Sequence, residues 1–178
     1  MKKVDTLSLE WHALRNTESE LRACYYHLRK RGDFLGNILL ALNTLSEQST
    51  ALRFMESDEI FNDSELIELM PTIIDIAIDG NIDNQVLAKQ VLSKYRDKKI
   101  VRDIFYSVVD KYFSLSDEFV YSGLARLSTE AGFGDIFIKL MSICKNSDNP
   151  DIAEIYDHFS KFLDPNRSDV VLSKRLIR

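Results

Sequence analysis

From residue 64 to residue 163 the chain repeats one unit three times: a helix-length apolar segment, a short polar turn, and a second helix-length segment. The apolar positions recur at the three- and four-residue spacing of a helix face. The spacing predicts a first pair at Glu65 to Asp79 and about Asn84 to Tyr95. A second follows at Ile100 to Phe113 and Asp117 to Ala131, and a third at Asp135 to Lys145 and Asp151 to Leu163. The second helices open on similar apolar steps, Val86-Leu87, Phe119-Val120 and Ile152, which lie 34 and 32 residues apart. The turns are Gly80-Asn81-Ile82-Asp83, Leu115-Ser116 and Asn146-Ser147-Asp148-Asn149. A lone helix pair cannot bury both apolar faces, whereas stacked pairs can, so such units come in arrays.

The punctuation agrees. Gly (6) and Pro (3) are scarce in 178 residues, too few for a sandwich or barrel of many short strands. Pro150 behind Asn149 fits the first position of a capped helix. Gly132 and Gly80 follow helix ends, and Gly80 reads as a left-handed cap residue. Pro71 lies inside its helix and predicts a kink or break there, because proline removes one hydrogen bond and crowds the preceding turn.

Ahead of the repeats, Thr17 and Glu20 have capping-box spacing and predict a helix from about Thr17 to Arg31, with Leu7 to Leu14 as a short helix before it. Asp33 is read as the cap of a helix through Leu45, and Thr50 to Met55 as a shorter one. The expected organisation is one all-helical domain over 1–163, followed by a partly basic tail or short last helix over 164–178.

These residues resemble a family. Leu69-Met70-Pro71-Thr72-Ile73-Ile74-Asp75 followed by Asp83-Asn84-Gln85-Val86-Leu87-Ala88 is similar to a HEAT-like repeat, in which a proline bends the first helix and an aspartate-bearing turn leads into the second. The likeness covers about 64–163 and is best over 64–97. The step is shorter than the roughly 40–47 residues usual in such repeats, and the later pairs lack the proline. The fold it implies is all-α, antiparallel helix pairs stacked as a short HEAT-like array. In size, acidity and architecture the chain also resembles bacterial immunity proteins, which neutralise toxins delivered by contact-dependent inhibition or related systems. That resemblance implies a cytoplasmic protein without chemistry of its own. It would bind a cognate toxin, expected to be a basic nuclease domain, and block its active site or substrate access. The alternative is a HEAT-like adaptor or scaffold for an unrelated protein partner. A third class, a helical DNA glycosylase, needs a basic groove.

Charge placement gives the candidate site. The net charge of −5 comes entirely from residues 54–88, which carry no Lys or Arg and nine acids: Glu56, Asp58, Glu59, Asp63, Glu65, Glu68, Asp75, Asp79 and Asp83. The segments 1–53 and 89–178 are each net +2. Glu65, Glu68, Thr72, Asp75 and Asp79 are spaced 3, 4, 3 and 4, which aligns them as a ridge on one helix face. Like charges at this spacing cost about 0.2–0.5 kcal/mol per pair, so a cation is expected to offset them. It could be internal, from Lys89, Lys94, Lys98 and their neighbours, or it could belong to a basic partner. The acidic balance excludes a general nucleic-acid binder, and no stretch has the roughly 18 consecutive apolar residues of a membrane span.

Other chemistry finds no pattern. Asp58-Glu59 with Asp63, and Asp79 with Asp83, lack the calcium-loop spacing. His12, His27 and His158 lack metal-ligand spacing, and Gly132-Phe133-Gly134 lacks the lysine of a phosphate loop, so no metal, cofactor or catalytic residue is expected. Cys24 and Cys144 read as buried free thiols, and Trp11 as a core plug. Tyr26, Tyr106 and Tyr121 read as either core or interface.

Overall fold

A computed structural model describes residues 6–57 and 60–163. The predicted tail, 164–178, therefore lies outside the described residues. The described chain is all-helical: α1 (Leu9–Arg29), α2 (Phe34–Leu42), α3 (Gln48–Glu56), α4 (Asp63–Asp79), α5 (Ile82–Tyr95), α6 (Lys99–Tyr112), α7 (Glu118–Ala131), α8 (Gly134–Lys145) and α9 (Pro150–Phe159), with a 3-10 turn at Ser160–Leu163. It divides into two compact units, Met1–Ile38 and Leu39–Arg178.

The first unit is dominated by α1, and here the sequence reading needs correction. Thr17 does not begin a helix. Ser8 is the N-cap, its hydroxyl accepting from the Trp11 amide at 3.2 Å, and one 21-residue helix replaces the two expected. The Thr17 hydroxyl instead donates to the Ala13 carbonyl one turn back, at 3.1 Å, as hydroxyl side chains do inside helices. No residue of α1 is buried. Trp11, 53% exposed, is therefore no core plug, and Cys24 is exposed rather than buried. Asp33 precedes α2, and its carbonyl accepts from the Asn37 amide. Its carboxylate turns to Arg31, accepting from Nε at 2.7 Å and Nη2 at 2.9 Å, which holds Asp33 down at a pKa of about 2.

The second unit is a helical repeat array. Packing runs between helices two apart: α3 against α5, α5 against α7, and α7 against α9, so the second helices form one row. On the other side α4 packs on α6, and α6 meets the start of α8 through the ring of Phe105 stacked on that of Phe133, the residue before α8, 3.7 Å between centroids. Between the rows α4 packs on α5, and α8 on α9. α4 is the hub, with contacts to α5, α6 and α7. Accordingly Leu66, Leu69, Met70, Ile73, Ile74, Ile76, Ala77 and Ile78 are all buried on it.

The ends of α4 show why it starts and stops where it does. Asn62 is the N-cap: its side chain accepts from the Glu65 amide at 3.1 Å, and the Glu65 carboxylate accepts from the Asn62 amide at 2.8 Å. This reciprocal box satisfies two amides that the helix itself leaves unpaired. The helix passes Pro71 without a break. Gly80 is not left-handed but extended, at φ −70°, and a Cβ there would lie 2.5 Å from the Ile76 carbonyl oxygen. The left-handed cap belongs to Gly132, at φ 82°. Where the chain turns, Asn81, Asp117 and Asn149 cap α5, α7 and α9 with their side chains, and Pro150 takes the first turn of α9.

Polar side chains lock the rows. Asn84, buried on α5, donates to Gln48 Oε1 of α3 at 2.8 Å, and Gln48 donates to the Leu42 carbonyl at 2.9 Å. Lys94 Nζ donates to the carbonyls of Met55, at 3.1 Å, and of Ser57, placing a positive charge on the C-terminal end of α3, where the helix dipole favours it. Tyr121 is core: 1% exposed, its hydroxyl donating to the Phe113 carbonyl at 2.7 Å. Tyr106 is half-buried and its hydroxyl donates to Asp135, while Tyr26 is exposed with Lys30 against its ring.

Candidate protein-interaction surface

The nine acids predicted as a partner-binding set separate into distinct places. Asp58 and Glu59 lie outside the described residues. Asp63 and Glu65 serve the start of α4. Glu65 closes the capping box, and Asp63, in the first turn, is met by Lys98 Nζ at 2.6 Å. Asp83 is exposed in the first turn of α5, where its charge complements the helix dipole. Glu56 sits at the end of α3 on the second-helix side, in a groove of about 510 Å³ that it shares with Val86, Lys89, Lys94 and Glu130.

The remaining three stand together on α4. Glu68, Asp75 and Asp79 are exposed, while the positions between them are buried or, at Pro71 and Thr72, half-buried, so the helix presents a narrow acidic edge. Thr72, Asp75 and Asp79 line a groove of about 370 Å³ with Asn43, Gln48 and Tyr112. The Tyr112 hydroxyl donates to Asp75 Oδ1 at 2.6 Å. Burial, together with the neighbouring carboxylates of Asp75 and Asp79, raises the Tyr112 pKa above the ordinary phenol value. The phenol is therefore held as a neutral donor. It gives Asp75 a hydrogen bond without adding positive charge.

The cations expected to offset the ridge point elsewhere. Lys89 pairs with Glu130 of α7 at 2.8 Å, and Lys94 engages carbonyls of α3. Arg96 lies 3.8 Å from Asp97, Lys98 reaches Asp63, and Arg102 donates to the Tyr106 hydroxyl. Among the described residues, Glu68, Asp75 and Asp79 have no ion pair.

A second surface escaped the sequence reading. α7 packs on α9, and their Glu118, Asp151 and Glu154 line a groove of about 520 Å³ with Phe119, Arg126 and His158. Phe119 is 78% exposed there. The signal was present, since each second helix opens with an acid, but only the packing of α7 on α9 makes neighbours of them.

Among the described residues there is no group of three or more His, Cys, Asp or Glu placed to hold a metal ion, and no helix long and apolar enough to cross a membrane. Comparison with known proteins gives no matching family model, no matching curated protein and no matching solved structure.

Proposed function

We propose that the chain is a stoichiometric protein-binding module of the toxin-immunity type, which uses its acidic α4 edge to engage a basic toxin domain, a nuclease by preference, and keep it from its substrate. The observation that carries this reading is the uncompensated charge of Glu68, Asp75 and Asp79, none of which has an ion pair among the described residues. A nuclease surface that holds a polyanion is positive, and an opposed negative edge speeds encounter and disfavours wrong partners. The repeat architecture supports the reading physically. Stacked helices hold such an edge rigidly, so little ordering is needed on binding.

Co-expression with a panel of nuclease toxin domains tests the proposal, scored by growth. Rescue from at least one domain, with a one-to-one complex on co-purification, is the expected result. A chain that forms a one-to-one complex without restoring growth would be an adaptor instead, and failure to bind any basic domain would overturn the reading.

A further inference from the structure

The fusion of two expected helices into α1 brings six residues into one register. Trp11, Leu14, Glu18, Leu21, Tyr25 and Leu28 are spaced 3, 4, 3, 4 and 3, with Leu7 four residues ahead of Trp11. This is the alternation of the two core positions of a coiled coil, sustained over about three heptads and roughly 30 Å of helix. Trp11 (53% exposed), Leu14 (60%) and Leu21 (49%) stand open, an apolar line on a helix with no buried residue.

The charges on and beside this seam say what can cover it. Glu18 occupies a core position, 3.7 Å from Arg22 one turn on. Arg15 and Arg22 each follow a core leucine, and both are exposed on the flank of the seam. A second copy of α1 laid parallel and in register would set Glu18 against Glu18 inside the interface. Laid antiparallel with Glu18 facing Leu21, it would set Arg15 against Arg22 on the flanks twice. The parallel pairing would set Glu10 opposite Arg15 on the flanks, yet both self-pairings also place like charges together, and neither gives Glu18 a cation across the interface.

We infer that α1 is a docking helix for a heterologous amphipathic helix, one that offers apolar residues at heptad spacing, a Lys or Arg opposite Glu18, and acids opposite Arg15 and Arg22. A single charged core residue lowers the stability of such a pair and fixes its partner and register. This surface is made of other residues than the acidic α4 edge and needs no toxin for its test.

The probe is a synthetic helical peptide of three heptads, with leucine at the core positions, lysine at the one opposite Glu18, and glutamate on both flanks. Its control carries glutamate in place of that lysine. The full chain should bind the lysine peptide at least about tenfold more tightly than the control, the equivalent of about 1.4 kcal/mol. Glu18→Lys should reverse the order. Leu14→Asp with Leu21→Asp should abolish binding of both peptides while circular dichroism keeps its helical signal. Light scattering of the chain alone should give a monomer. Equal affinity for the two peptides, absence of binding, or a homodimer that Leu14→Asp with Leu21→Asp dissolves would each overturn the inference.

Discussion

The Tyr112 hydroxyl lies 2.6 Å from Asp75 Oδ1 and joins α6 to the acidic edge of α4. It is a neutral donor to that edge. Replacing it by Tyr112→Phe should cost about 1 kcal/mol of stability, the usual net value of one such bond, and leave the helical fold intact. The pH dependence has a definite sign. The Tyr112 pKa is raised in the folded chain, first by burial and then by Asp75. Above about pH 10 an unfolded chain therefore releases a phenolic proton that the folded chain retains, and stability falls as pH rises. Thermal melts between pH 8 and 11 should show a steeper loss for the wild type than for Tyr112→Phe. Tyr106 and Tyr121 have raised pKa values as well, so the variant keeps a residual slope.

Gly123 lies inside α7, where glycine costs about 1 kcal/mol relative to alanine. It is there because α7 crosses the end of α4 closely: a Cβ at this position would lie 2.5 Å from the Ile78 carbonyl oxygen, which is backbone and cannot swing aside. Gly123→Ala should therefore destabilise by about 1–3 kcal/mol, against the trend of helix propensity. Chemical denaturation measures it, and a variant as stable as the wild type would contradict the close α4–α7 packing.

The two cysteines should behave as opposites. Cys144 is buried on α8, and burial raises its thiol pKa to about 11, whereas Cys24 stands exposed on α1. The thiolate is the reactive form, so a thiol reagent at neutral pH should modify Cys24 at once and Cys144 only as the chain unfolds. Mass spectrometry of the native protein should find one adduct, at Cys24, and Cys24→Ser should remove it.

How much of this was legible beforehand differs between the two units, for a physical reason. The helices from α4 onward were predicted to within about two residues, except that α9 ends at Phe159 and the expected turn to Leu163 is 3-10, because several carry local stops and starts: Asn81, Asp117 and Asn149 as caps, and Gly132 as a left-handed end. α1 was misread because Thr17 and Glu20 have capping-box spacing in mid-helix, while the true cap is Ser8. Local chemistry could not reveal burial. Trp11 and Cys24 were placed inside because they are apolar, but a residue is buried only where another element covers it. The acidic ridge was readable from spacing alone, yet the destinations of Lys89 and Lys94, on α7 and α3, depend on contacts about 40 residues away in sequence. For the same reason the groove between α7 and α9 could not be read from either helix by itself.

The central claim is that the α4 edge is acidic for a partner and not for the fold. Calorimetric titration of a rescued toxin domain with the wild type and with the Glu68→Lys, Asp75→Lys, Asp79→Lys triple variant tests it most directly. Reversing three charges that have no ion pair should leave the chain folded, with a loss of no more than about 1 kcal/mol, the value of the Tyr112–Asp75 hydrogen bond that goes with Asp75. Affinity for the basic domain should fall by about a hundredfold, roughly 1 kcal/mol for each reversed charge, and the gap should narrow as salt is raised. Equal affinity of variant and wild type would contradict the claim, as would a triple variant that no longer folds.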